Sequence, residues 1–354
     1  MSFFLPSTKS QMSSSLSCVL FLILLLVVPT LSSRRHVITI PSSSLRPSSL
    51  AWDPSAQHFL VSSRDSVSSV SDAGVIQTLL TLTLTPADSA SITAVAIDGP
   101  NRRLVVASPS PSSVAAYDLR SPQPHPQLFS SSSFSSSPLP DRITSLAVDP
   151  SSGSTFISVP NSIFVSDRDG NVSLLSKSPI LEEIVGISFS TRGFLLAAGR
   201  HGKVFKVDSE DGATKEVILS GKLPADTLAI AAKRDGSAVV AGRSGVARLR
   251  SGDGWAEAGV EDEAKAEVGE KVYGAAVREG KREYLLVGPD HQEGSTGAAS
   301  ASAGDWRIEE VEWPRDGEGD MVWGMVLLGL GLAYFLYWRF QMGQLVSSVN
   351  KKRA

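Results

Sequence analysis

Cysteine is almost absent from this 354-residue chain: the one copy, Cys18, lies in an apolar run near the N-terminus. The rest of the sequence therefore has no residue for a disulfide, a thiol nucleophile or a thiolate metal ligand. An excess of one charge is also missing, because 33 Lys and Arg residues are mixed with 36 Asp and Glu residues along most of the chain. This balance gives no support for nucleic-acid binding.

Histidine is scarce as well, and its five copies are widely spaced and lack the spacing of metal ligands. Two of them, His58 and His201, fall in predicted turns, which favours exposed structural roles. The chain also lacks a GxSxG nucleophile elbow, a phosphate-binding loop and a Gly-rich dinucleotide fingerprint. The sequence thus carries none of the short motifs that identify common enzyme classes.

Long apolar runs occur only at the two ends. Residues 18–28 form a run of 11 apolar residues, preceded by Lys9 and followed by the small-x-small pattern Thr30-Leu31-Ser32. The run is too short to span a bilayer comfortably, and its flanks suit signal peptidase. We therefore predict a signal peptide over residues 1–32. An uncleaved membrane anchor is the alternative.

The second apolar run, residues 321–338, is uncharged, has aromatic residues at both ends and would measure about 27 Å as a helix. Acidic residues precede it and basic residues follow it, which by the positive-inside rule places the C-terminus in the cytosol. The sequence predicts a linker over residues 314–320, a transmembrane helix over 321–338 and a basic cytoplasmic tail over 339–354. A buried core helix is the alternative.

The tail places Lys351 and Lys352 at the fourth and third positions from the C-terminus. This arrangement resembles the dilysine retrieval signal that coat machinery reads on type I proteins of the endoplasmic reticulum. We therefore expect an endoplasmic-reticulum membrane protein with its folded part in the lumen, although a plain basic flank would have the same composition. Asn171-Val172-Ser173 is a glycosylation sequon in a predicted turn, as suits a luminal glycoprotein.

Between the two ends lies a sixfold repeat. Each unit has a short apolar strand, a turn and a second apolar strand, as in residues 49–63 and 94–108. The residue after the first strand recurs every 41 to 51 positions, at Asp53, Asp98, Asp149, Ser190, Lys233 and Arg278. This period is typical of a four-stranded propeller blade. The sequence therefore predicts an all-β fold, a six-bladed β-propeller over residues 36–313.

Several motifs resemble a known family. Residues 50–54 (LAWDP), 116–120 (AYDLR), 203–208 (KVFKVD) and 329–336 (GLGLAYFL) are similar to plant membrane-anchored members of the SMP-30/gluconolactonase/LRE-like group, within the calcium-dependent phosphotriesterase superfamily. The resemblance runs from about residue 36 to the C-terminus. It implies a six-bladed propeller with a divalent cation, calcium or else zinc or manganese, at the top of the central channel. It also implies Glu, Asn and Asp ligands, with the Asp as catalytic base.

The expected ligand positions lack that chemistry. Counting back five residues from each repeat marker predicts the channel-lining residues Ser48, Thr93, Thr144, Val185, Leu228 and Tyr273. None of these is a carboxylate or an amide. Asp226 lies two residues before Leu228, and a two-residue slip keeps a strand side chain on the same face, so Asp226 is the remaining candidate ligand and base. A single Asp makes a poor divalent-cation site.

Two functions therefore stay open. The ligand inventory favours a non-catalytic binding or scaffold propeller with a degenerate metal site, no cofactor and a protein partner on one of its faces. The alternative is a divalent-metal-dependent hydrolase of a lactone or other ester that uses Asp226. A strictosidine-synthase-like condensing enzyme would need a channel Glu that the sequence does not place there. The acidic stretch 257–270 is either a solvated face or a surface for a partner.

Overall fold

The computed structural model describes residues 35–40, 47–82, 92–109, 112–134, 137–138, 142–267, 269–289, 305–313 and 318–353. The signal peptide predicted over residues 1–32 lies outside these ranges. The first part of the predicted linker, residues 314–317, also lies outside them.

The described residues form six sheets of four or five strands, arranged as the blades of a propeller. The first described strand is β1 (Val37–Ile40), which does not pair with the strands that directly follow it. Blade one contains β2 (Ser49–Asp53), β3 (His58–Ser62), β4 (Ser66–Val70) and β5 (Ile76–Thr81). Blade two contains β6 (Ala94–Asp98), β7 (Arg103–Pro109), β8 (Ser112–Asp118) and β9 (Gln127–Ser131).

A two-stranded ribbon, β10 (Ser133–Phe134) with β11 (Ser137–Pro138), follows blade two. Blade three contains β12 (Ser145–Val148), β13 (Thr155–Val159), β14 (Ser162–Ser166) and β15 (Val172–Ser176). Blade four contains β16 (Ile184–Phe189), β17 (Phe194–Gly199), β18 (Val204–Asp208) and β19 (Thr214–Glu216).

Blade five has a fifth strand. Its members are β20 (Ile218–Ser220), β21 (Thr227–Ala232), β22 (Ala238–Gly242), β23 (Gly245–Arg250) and β24 (Glu257–Lys265). β20 pairs in parallel with β24 and so becomes the outer edge of this sheet. The other pairs in the blade are antiparallel.

Blade six closes the ring with strands from both ends of the propeller. It contains β25 (Glu270–Arg278), β26 (Arg282–Pro289), β27 (Trp306–Glu310) and, outermost, β1. β1 runs antiparallel to β27, with Val37 opposite Glu309 and Ile40 opposite Trp306. The repeat did not indicate this pairing, because the two strands are far apart in sequence. A closed ring leaves no inner strand unpaired at its seam.

The predicted six-bladed, all-β propeller is confirmed. The first strand of each blade ends at, or directly before, the residue that marks the repeat, as β2 does at Asp53 and β16 does before Ser190. Second strands such as β17 and β22 are buried along their whole length. They are apolar throughout because neighbouring blades cover both of their faces. The exposed fourth strand β5 mixes polar and apolar residues instead.

A single helix, α1 (Glu318–Arg353), follows the propeller and contains the apolar segment 321–338. Every α1 side chain that the structure describes is exposed, including Leu327 and Tyr334. The sequence predicts a transmembrane helix over this segment. Among the described residues, however, no helix is long and apolar enough to cross a membrane.

Candidate binding site in the central channel

A cavity of about 530 Å³ lies at the centre of the ring, and the first strands of all six blades line it. Each of the six residues predicted from the repeat is among its lining residues: Ser48, Thr93, Thr144, Val185, Leu228 and Tyr273. The equivalent positions come together because every first strand starts at the same end of the channel.

The hydroxyl groups at this end are occupied by bonds to neighbouring strands. Ser48 Oγ donates to the Ile92 carbonyl at 2.8 Å and lies 3.0 Å from Ser62 Oγ. Thr144 Oγ1 lies 2.9 Å from Ser158 Oγ, and the Tyr273 hydroxyl donates to a carbonyl at 2.8 Å. These hydrogen bonds hold the strand ends in place.

The walls of the channel are small and uncharged. Alanines recur at equivalent positions of the first strands, at Ala51, Ala96, Ala147, Ala231 and Ala276. The charged lining residues are Arg234 and Glu279, which are exposed and follow the ends of β21 and β25 at the other mouth. The channel is therefore neutral where the family metal would bind.

The residues present do not fit the divalent cation that the family resemblance implies. A calcium-type ion takes six to eight oxygen ligands, with carboxylates prominent among them. Here Val185 and Leu228 offer no oxygen from their side chains, and the other four positions offer hydroxyl groups instead of carboxylates. In the described part of the chain, no group of three or more His, Cys, Asp and Glu residues is placed to hold a metal ion.

Asp226 differs from its expected position. Its side chain is exposed and is not part of the channel lining. The residue has a left-handed backbone with φ of 52°, and its carbonyl accepts a hydrogen bond from the Arg243 N–H at 3.3 Å. The alternation of side chains between the two faces of β21 begins only at Thr227 and is interrupted by a register shift before Ala229. Residues two apart share a face only within a strand, so this relation does not hold for Asp226, which lies in the turn before β21.

The sequon residue Asn171 lies exposed in the turn between β14 and β15. Its Nδ2 donates to Asp167 Oδ2 at 2.7 Å, and this hydrogen bond lowers the pKa of the Asp167 carboxyl below its usual value. Lys351 and Lys352 lie in the last turn of α1, and their side chains are outside the described set. Their predicted roles stay predictions.

The acidic stretch 257–270 is a strand along most of its length. β24 carries residues 257–265 of it, and two of the acidic side chains bind arginines of β23. Asp262 lies 2.9 Å from Arg248, and Glu261 lies 3.1 Å from Arg250. Asp262 and Glu261 thus serve cross-strand pairing within blade five, whereas Glu267 pairs with Arg35 and Glu270 pairs with Arg307 of blade six.

Comparison with known proteins gives the fold without a family. No family model matches the chain, and no curated protein matches it. The solved structures similar to it include the Malassezia sympodialis allergen Mala s 1, with TM-score 0.58, 16% identity and coverage of 78% of this chain and 96% of that one. A gluconolactonase from Xanthomonas campestris, XC5397, has TM-score 0.57, 14% identity and coverage of 80% and 91%. U3-55K has TM-score 0.57, 13% identity and coverage of 78% and 98%. At such identities, the likeness concerns the propeller fold alone.

Proposed function

We propose that this protein is a binding or scaffold propeller that has lost the metal chemistry of gluconolactonase-like enzymes. One observation carries the proposal: the starts of the inner strands present bonded hydroxyl groups and aliphatic side chains where an enzyme of that type would hold a cation. The gluconolactonase neighbour shares the propeller, but fold alone does not transfer activity. The partner is a protein that docks on a face of the ring, where loops of several blades meet.

Metal binding by the full chain tests this proposal. We expect no stoichiometric binding of calcium, zinc or manganese in calorimetric titrations at micromolar protein, and no change in melting temperature with a chelator. A screen of lactones and esters should give no turnover. Tight binding of one metal, with hydrolysis that the Asp226→Ala variant loses, would instead establish the alternative, a metal-dependent hydrolase.

We also propose that the propeller is luminal and that residues 321–338 attach it to the endoplasmic-reticulum membrane. The support is the uncharged apolar sequence, the basic flank after it and the terminal Lys351 and Lys352. Replacing both lysines (Lys351→Ser with Lys352→Ser) should move a tagged protein to later secretory compartments. Unchanged retention would exclude a retrieval signal. Loss of a glycosidase-sensitive mass shift in Asn171→Gln would support luminal exposure.

A further inference from the structure

The helix α1 continues well past the uncharged segment 321–338. It has 36 residues and ends at Arg353, which makes it about 54 Å long. A bilayer core of about 30 Å would cover little more than half of that length. Its later turns still expose large apolar side chains, among them Met342 and Leu345. A membrane span alone does not account for these side chains.

Seven described residues of α1 follow one another in alternating steps of four and three. We call them the α1 stripe: Gly324, Leu328, Gly331, Phe335, Trp338, Met342 and Leu345. All seven are exposed. Such steps define the seam between two supercoiled helices, which repeats every 3.5 residues. The stripe keeps this spacing over three periods of seven residues, a length that favours a coiled coil.

The second half of α1 fixes the phase of the stripe. Residues 324–338 are apolar or aromatic almost throughout, so they would fit several phases. Polar residues then enter at Arg339, Gln341, Gln344, Ser347, Ser348 and Asn350. The stripe passes between them, and in the sequence Val349 continues its spacing. Phe340 and Val346 are the apolar residues of this half outside the pattern. The spacing is therefore more than a result of overall apolarity.

The residue types along the stripe suit two identical helices side by side. In heptad notation, Leu345 takes a d position and Val349 an a position, and a β-branched residue at a with Leu at d favours two strands. Among the described residues, nothing lies within 4 Å of the places where a Cβ of Gly324 or Gly331 would be. Small residues at such positions let two helix backbones approach closely.

Charge does not oppose this pairing. Arg339 is the one charged residue between positions 321 and 350 of the sequence. It takes an e position, which in a parallel pair lies opposite the g position of the other helix, here Tyr334. A guanidinium beside an aromatic ring is attracted to it. The basic residues 351–353 follow the last position of the pattern.

We propose that two copies of this chain pair in parallel through the α1 stripe and form a dimer that carries two propellers on the same side. The parallel direction rests on the proposed membrane attachment, which gives both copies the same topology. The seam itself rests on the spacing of exposed residues. Two linked propellers can hold a partner with two docking sites more tightly than one propeller can.

Disulfide cross-linking of the full chain in membranes tests the seam. In a Cys18→Ser background, Leu328→Cys and Met342→Cys place one cysteine at stripe positions two heptads apart. Leu330→Cys and Phe340→Cys are the matched controls, because each lies two residues, or about 200° around the helix, from its stripe position. After oxidation, we expect each stripe cysteine to give at least about fivefold more dimer than its control, since a disulfide needs close Cβ atoms.

The outcomes separate the pairing from the membrane attachment. Equal cross-linking of stripe and control cysteines would mean random collision and would overturn the proposal. Cross-linking at only one of the two stripe positions would overturn the parallel direction, because an antiparallel pair brings identical residues together only at its midpoint. Carbonate extraction of the same membranes reports attachment by itself. A chain that resists extraction but does not cross-link overturns the dimer and leaves the membrane attachment standing.

The mass of the full chain in detergent gives a second test. We expect light scattering to show two copies for the natural protein and one copy for Met342→Glu, because the pair would have to bury two like charges at its seam. Phe340→Glu is the control, since it adds the same charge outside the stripe and should leave the dimer intact. A natural protein with the mass of one copy, or equal masses of the two variants, would contradict the proposal.

Discussion

The Asp53 carboxylate is almost fully buried and accepts hydrogen bonds from two blades. Within its own turn it accepts the N–H groups of Ser55 and Ala56, at 2.8 and 3.1 Å. From blade two it accepts both bonds of Arg102. One side chain therefore both shapes the turn after β2 and joins neighbouring blades.

Replacing Asp53 with Ala should destabilise the protein by about 3 kcal/mol, because it leaves Arg102 and two backbone N–H groups without their partner. Urea unfolding followed by circular dichroism measures the change. Glu182→Ala is the control, since it removes an exposed ion pair with Lys203 and should leave the unfolding midpoint nearly unchanged. Equal effects of the two changes would show that the Asp53 pair contributes no more than a surface contact.

Residues of the candidate site differ in how well the sequence indicates them. The six channel positions follow from the repeat, since equivalent residues of equivalent strands meet at one axis. Asp226 did not follow the same rule, because it precedes its strand and adopts a turn conformation.

At the scale of elements, β1 has one buried and one exposed face. Ile38 and Ile40 are buried against blade six, while Val37 is exposed. Arg35, just before the strand, binds Glu309 and donates to the Glu310 carbonyl at 3.1 Å. The strand is thus attached by side chains as well as by its backbone ladder.

Ile40→Ala should lower the free energy of unfolding by about 2–5 kcal/mol, because it leaves a cavity in the core beside Trp306. Val37→Ala on the same strand should change it by less than about 0.5 kcal/mol, since the side chain faces solvent. Denaturant titrations of both variants give the comparison. A small effect of Ile40→Ala would mean that ring closure does not require this strand.

We expect Glu309, in blade six, to make the stability of the folded protein depend on pH. Burial raises the pKa of its carboxyl above the usual value, against the opposing effect of Arg35 and Arg307. The folded protein therefore holds this proton more tightly than the unfolded chain does. The resulting stabilisation is present below the unfolded pKa of about 4.3 and is lost as pH rises through the folded value.

Glu309→Gln should remove that pH dependence. From about pH 4 upward, the stability of the natural protein should fall relative to the variant, and the difference should level off above the folded pKa. Urea midpoints measured across this range test the sign. A difference that grows in favour of the natural protein as pH rises would contradict it.

Most elements were predictable, because blades repeat a local pattern of apolar strand, turn and apolar strand. The pairing of β1 with β27 was not, since no local signal connects strands at opposite ends of a domain. β24 was also missed as a strand, because its run of acidic residues is typical of a solvated loop, and the sequence does not reveal that β23 supplies arginines to two of them.

At the scale of the whole molecule, the propeller and α1 differ in the burial of their apolar side chains. The propeller buries its apolar side chains between blades, whereas the described side chains of α1 are all exposed. The period of the repeat was enough to predict the ring. The contacts that the exposed side chains of α1 make with other molecules cannot be predicted from that period.

Ending the chain after residue 313 should leave the melting temperature of the propeller within about 1 °C of the full chain, because the described side chains of α1 are exposed. Removing residues 1–40 instead should lower it by several degrees, since the last blade then loses its outer strand. Thermal melts by circular dichroism compare the two truncations. A large drop in the first would show that α1 packs against the ring.

The position of β1 also affects the order in which the propeller can fold during synthesis. This strand is made first, yet its partner β27 ends at Glu310, about 270 residues later. At about 5–20 residues per second, the ribosome needs on the order of tens of seconds to supply that partner. Throughout this interval, the nascent chain carries an apolar segment with nowhere to pair. β1 therefore stays without its partner strand until the last blade has been synthesised.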